Sequence, residues 1–80
     1  MNEIEDSLRA LLGELFPGLD FSGLGASTLF EDTGLDSLDR ATLLLAVQDR
    51  FGIRIPDEAV EDMDTLGKVG NFIARERKGS

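Results

Sequence analysis

The chain contains no cysteine, histidine, tryptophan or tyrosine. Without cysteine there is no disulfide framework, no thiolate nucleophile and no thiolate metal site. Without histidine the most frequent general base, the most frequent metal ligand and the side chain that titrates near neutrality are all missing. A Ser-His-Asp catalytic arrangement cannot be built. Positive charge is scarce as well: 8 Lys and Arg stand against 16 Asp and Glu, a net charge of −8. Such a surface repels nucleic acid and anionic lipid and favours partners with basic patches. No apolar run approaches the length needed to cross a bilayer. The start, Met1-Asn2-Glu3-Ile4-Glu5-Asp6, is acidic and unlike a signal peptide. A cytoplasmic monomer with no nucleic-acid or membrane partner is expected.

What is present is a single short domain, residues 1–80, with an apolar fraction of 41% that argues against general disorder. A chain of this size buries roughly 60–65% of its unfolded surface, which leaves a modest core and little room for a deep catalytic cleft.

Helical periodicity organises most of the chain. Over residues 2–16, Ile4, Leu8, Leu11, Leu12 and Leu15 make one stripe, and Asn2 with Glu5 resembles a capping box. Pro17-Gly18 ends that helix. Residues 17–36 form a connection with several glycines and scattered apolar residues, among them Phe21, Leu24, Leu29 and Phe30. About 20 residues is long for a structureless loop in a compact domain, so it should pack down, with a short helical turn near residues 28–31. Residues 37–51 form a second helix with more apolar residues than one stripe can hold. If Leu43, Leu44, Val47 and Phe51 face the core, Leu38, Ala41 and Leu45 lie on the flank. That flank is either buried in a central helix or a strip for docking a partner. After Gly52 the segment Ile53-Arg54-Ile55-Pro56 is extended, as the residue before a proline prefers. A short third helix spans residues 57–62 and a last one residues 65–77, with Leu66, Val69, Phe72 and Ile73 on its apolar face. The sum is an all-α, four-helix bundle with a long first loop and a short third helix.

One stretch carries two readings. In Gly34-Leu35-Asp36-Ser37-Leu38, Ser37 falls at a helix N-terminus. It is either a helix cap, worth about 1 kcal/mol, or the carrier of an anionic phosphodiester, which a helix N-terminus favours. Asp57, Glu58, Glu61, Asp62 and Asp64 make a cluster without a base, either a solvated face or half of an electrostatic docking site. The cluster lacks the order of a calcium loop, so no metal is expected. The carboxylate pairs Asp57/Glu61 and Glu58/Asp62 could be offered as an acid–base couple, but nothing in the sequence places a pocket around them.

Gly34-Leu35-Asp36-Ser37-Leu38-Asp39 opening a helix, with Phe51-Gly52-Ile53-Arg54-Ile55-Pro56-Asp57-Glu58 following that helix, resembles the acyl carrier protein family. Helix lengths, the long first loop, size and acidity agree along essentially the whole chain. The resemblance implies a carrier, not an enzyme. A phosphopantetheinyl transferase would attach 4′-phosphopantetheine from coenzyme A to Ser37, and the thiol of that arm would hold an acyl group as a thioester. Asp36 would help position Ser37. Leu38 would dock into partner pockets, and Asp39, Ala41, Leu45, Asp49, Asp57, Glu58 and Glu61 would contribute to partner recognition. Partners would be acyl- or amino-acid-activating, condensing or tailoring enzymes with basic patches. Relatives serving fatty acid synthesis usually carry Glu along the second helix; here Thr42 and Gln48 stand at the matching positions, and Arg40 and Arg50 add positive charge. That departure points to polyketide, specialised lipid or other secondary metabolism instead of housekeeping fatty acid biosynthesis. With its own Met1 the chain is expected to be a discrete protein. An aminoacyl or peptidyl carrier, or a small helical interaction module without a prosthetic group, are the alternatives.

Overall fold

The computed structural model describes residues 3–21 and 23–79, with side chains as far as Arg77. Four helices follow in order: α1 Glu3–Leu15, α2 Ser37–Phe51, α3 Asp57–Val60 and α4 Leu66–Gly79, with a 3-10 turn at Phe30–Thr33 between the first two. Among the described residues there is no strand; the one β-type pairing is an isolated antiparallel bridge between Leu29 and Thr65. The four-helix expectation holds. The third helix is shorter than its sequence range, because after Val60 the backbone passes into successive turns, Asp62 N–H to Ala59 O and Met63 N–H to Val60 O. The expected turn in the first connection sits slightly further along, and the Asn2 cap lies outside the described residues.

α1 packs against both α2 and α4. Its stripe supplies Leu8, Leu11 and Leu12 to the core, α2 supplies Leu43, Leu44 and Val47, and α4 supplies Leu66, Val69 and Ile73. Each set follows the helical repeat, so one face of each helix closes on the others.

The long first connection is part of this core. Phe21, Leu24, Phe30 and Leu35 are buried. Backbone bonds fasten it at two further points: Phe30 N–H donates to Asp64 O at 2.9 Å and Gly67 N–H to Ala26 O at 2.8 Å. Arg9 of α1 donates to Leu24 O through Nη2 at 3.2 Å. A side chain at position 67 would stand 2.9 Å from Ala26 O, so the close approach of the connection to α4 requires glycine there. These contacts fix the route by which the chain enters α2.

Candidate functional site

The junction into α2 is built residue by residue. Gly34 takes φ of 99°, a left-handed conformation that L side chains rarely adopt, and reverses the chain out of the 3-10 turn. Leu35 then plugs into the core. Its N–H bonds to Phe30 O at 3.3 Å. Asp36 is extended and caps the helix: its Oδ1 accepts from Asp39 N–H at 2.8 Å, and Asp39 Oδ2 accepts from Asp36 N–H at 3.3 Å. This reciprocal pair is a capping box. It settles the cap: Asp36 holds that position, and Ser37 is the first residue of the helix proper.

The assignment frees Ser37. Its side chain makes no hydrogen bond among the described residues, and the residue is exposed. The first backbone N–H groups of a helix have no acceptor within it. Asp36 satisfies Asp39 N–H through its side chain and Arg40 N–H through its carbonyl at 2.9 Å. The N–H groups of Ser37 and Leu38, at the same end, make no hydrogen bond among the described residues. A hydroxyl with no competing bond thus stands at the positive end of the helix dipole.

Ser37 borders an open cleft of about 580 Å³, lined also by Phe30, Glu31, Gly34, Asp36, Arg40 and Asp64. Asp64 reaches it because the bond from Phe30 N–H to its carbonyl brings the segment before α4 alongside the 3-10 turn. Asp64 Oδ1 is out of solvent contact and lies 3.0 Å from Lys68 Nζ. The Lys68 contact, more than its charge at a distance, holds the Asp64 carboxyl below the ordinary 3.8. Partial burial works the other way, and the charge of Arg40 adds a smaller lowering.

The flank of α2 beyond Ser37 is apolar and open. Leu38 is 75% exposed and Leu45 68%. Ala41, between them at helical spacing, is exposed too. The alternative of a helix buried on most sides is therefore excluded for this flank. Asp39 is half-buried and tied into the capping box, whereas Asp49, Asp57, Glu58 and Glu61 are exposed and make no ion pair among the described residues. Thr42 and Gln48 have local work: Thr42 Oγ1 donates to Leu38 O at 3.2 Å, and Gln48 Oε1 accepts from Ile55 N–H at 3.0 Å. Gln48 thereby anchors the extended segment after α2. Among the described residues no cluster of three or more carboxylates is placed to hold a metal ion, and no helix is long and apolar enough to cross a membrane.

Asp36, Ser37 and Leu38 stand together at the start of α2, where the sequence places them. Sequence reasoning did not bring in Arg40 or Asp64 as parts of the cleft. The spacing of Ser37 and Arg40, one turn apart, was a signal available for the first; the approach of Asp64 depends on a tertiary backbone bond and had none.

The family model for PP-binding domains, described as the phosphopantetheine attachment site, matches residues 3–73. That span takes in α1, the whole connection, the Ser37 junction and most of α4. The chain therefore belongs to the phosphopantetheine attachment site family, the carrier domains on which 4′-phosphopantetheine is covalently held, in keeping with its likeness to acyl carrier proteins.

Proposed function

We propose that Ser37 is the attachment residue and that residues 1–80 act as one acyl carrier domain, delivering thioester-bound intermediates to partner enzymes. The observation that carries this reading is the Ser37 hydroxyl, exposed and without a hydrogen bond among the described residues, at the first position of α2. The donor set fits the group. An unbonded hydroxyl is available for esterification, two open N–H groups face the place where a phosphate charge would stand, and the Asp36–Asp39 box keeps the helix end from fraying. When bound, phosphopantetheine supplies the terminal thiol that holds the cargo; the chain itself has none.

The chain's own residues present and recognise. Ser37 Oγ forms the new ester bond to the phosphorus that bears pantetheine while the pyrophosphate bond of coenzyme A breaks and adenosine 3′,5′-bisphosphate leaves, and the hydroxyl proton passes to the transferase or to water. Asp36 fixes where that oxygen stands. Leu38, Ala41 and Leu45 offer an apolar strip beginning next to Ser37, and Asp49, Asp57, Glu58 and Glu61 offer negative charge to basic patches on successive enzymes. Such complementarity raises encounter rates more than final affinity, which suits a shuttle that must also let go.

The departure at Thr42 and Gln48 supports a dedicated carrier for a polyketide, a specialised lipid or another secondary metabolite over the housekeeping fatty-acid role. With Arg40 and Arg50, it leaves α2 with only Asp39 and Asp49 as acids. Intact-mass analysis after incubation with coenzyme A, magnesium and a broad-specificity phosphopantetheinyl transferase tests the attachment. A gain of one phosphopantetheine in the wild type and none in Ser37→Ala is expected. The same gain in Ser37→Ala would assign the modification elsewhere and overturn the reading.

A further inference from the structure

Among the described residues Arg40 is the only cation lining the cleft beside Ser37; the other charged groups there, Glu31, Asp36 and Asp64, are acids. It is half-buried, yet its guanidinium forms no ion pair or side-chain hydrogen bond among the described residues. Its natural acidic neighbour is already engaged, since Asp64 is held by Lys68 at 3.0 Å. Asp39, one residue before it, is engaged in the capping box. Among the described residues this partly desolvated guanidinium feels Asp64 only as a minor charge interaction and makes no close ion pair, which leaves it free to bind a further anion in a chain with twice as many acids as bases.

Its position explains what that charge could serve. Ser37 and Arg40 are three residues apart on one helix and therefore share a face, and both border the same cleft. A phosphodiester on Ser37 would enter a place flanked by three carboxylates. The open N–H groups of Ser37 and Leu38 offset part of that repulsion, and a guanidinium one turn along offsets more, with a fork of donors matched to phosphate oxygens.

We propose that Arg40 is a positioning residue that pairs with the phosphodiester of the attached arm and holds the root of the arm against the first turn of α2. This rests on Ser37 being the attachment residue. It gives Arg40 a role toward the prosthetic group, separate from the partner-facing strip of Leu38, Ala41 and Leu45.

The test uses the intact loaded protein and is read by NMR, not by the activity of any partner enzyme. In the wild type, loading should move the Arg40 Nε–H signal, and raising ionic strength from about 0.01 M to about 1 M should return it toward its unloaded position, because the screening length shrinks about tenfold over that range. The ³¹P signal of the loaded phosphodiester should differ between wild type and Arg40→Gln at low salt, and Arg40→Lys should restore part of the difference through its charge but not its fork. An Arg40 Nε–H signal indifferent to loading, or a ³¹P signal identical in wild type and Arg40→Gln at low salt, overturns the inference while leaving the Ser37 reading intact. The wild-type measurement needs no variant to fold. Absence of any mass gain in the wild type overturns the Ser37 reading and this inference with it.

Discussion

The two long helices use leucine differently. In α1, Leu8, Leu11 and Leu12 all enter the core and Leu15 packs against it. In α2, Leu43 and Leu44 enter the core while Leu38 and Leu45 stand mostly in solvent. The consecutive run Leu43-Leu44-Leu45 cannot face one way on a helix, so one member is turned outward by geometry. A scattered exposed leucine needs no explanation. Two of them with Ala41 between, starting beside Ser37 at the helix end, form a continuous strip. The comparison teaches that α1 is apolar for its own domain, whereas α2 is apolar for its domain on one side and leaves an apolar flank in solvent, the strip proposed above to meet partner enzymes.

That contrast can be broken by substitution. Leu12→Ala should cost about 2–5 kcal/mol of folding stability, as deletion of a fully buried leucine does, whereas Leu45→Ala should stay within about 0.5 kcal/mol of the wild type, as surface changes do. Denaturant unfolding of the two variants measures both, and equal losses would mean that Leu45 packs in the folded protein. The capping box divides the two roles more finely. Asp36→Ala should lose about 0.5–2 kcal/mol through the cap and slow the loading of Ser37, because the helix end that presents the hydroxyl would fray. Stability loss with an unchanged loading rate would confine Asp36 to the fold.

The smallest expected effect concerns Asp64. Its carboxyl titrates below the ordinary value when folded, chiefly through the Lys68 contact. A depressed folded value stabilises the protein above the unfolded value of 3.8, and that contribution fades as pH falls through the folded one. The stability difference between wild type and Asp64→Asn should therefore be constant near neutrality and shrink only in acid, below about pH 4. A difference that changes between neutral and mildly acidic pH would point to another group.

Much of this was legible in the sequence. The periodicity of α1, α2 and α4, the breaks at Pro17-Gly18 and Gly52, and the junction at residues 34–39 all follow from local rules, and local rules sufficed to place Ser37 at a helix start. The core face of the second helix was also readable, because Leu43, Leu44 and Val47 share a face that excludes Leu38 and Leu45, but whether that flank is buried or open was decided only by the fold. The identity of the cap was not, since Asp and Ser are both good caps and only the bond from Asp39 N–H decides between them. Nor could Thr42 and Gln48 be recognised as internal hydrogen-bond partners; read against relatives they register as missing charge, while in the fold Gln48 ties Ile55 back to α2. The cleft was invisible for the same reason as its residue Asp64: it is made by the meeting of two loops distant in sequence.

The contact between Gly67 and Ala26 has a consequence for the order in which the molecule assembles. Among the described residues the first connection has no helix of its own except one 3-10 turn, and two of its fastenings are to Asp64, just before α4, and to Gly67 in the first turn of α4. Closing so wide a loop costs entropy that only later contacts repay. The connection should therefore gain its shape after α4 has docked, and lose it with α4 when the protein opens. Amide exchange at Gly67 and Phe30 would then proceed at matching opening free energies, making the last helix and the loop that delivers Ser37 one cooperative unit although nearly half the chain separates them.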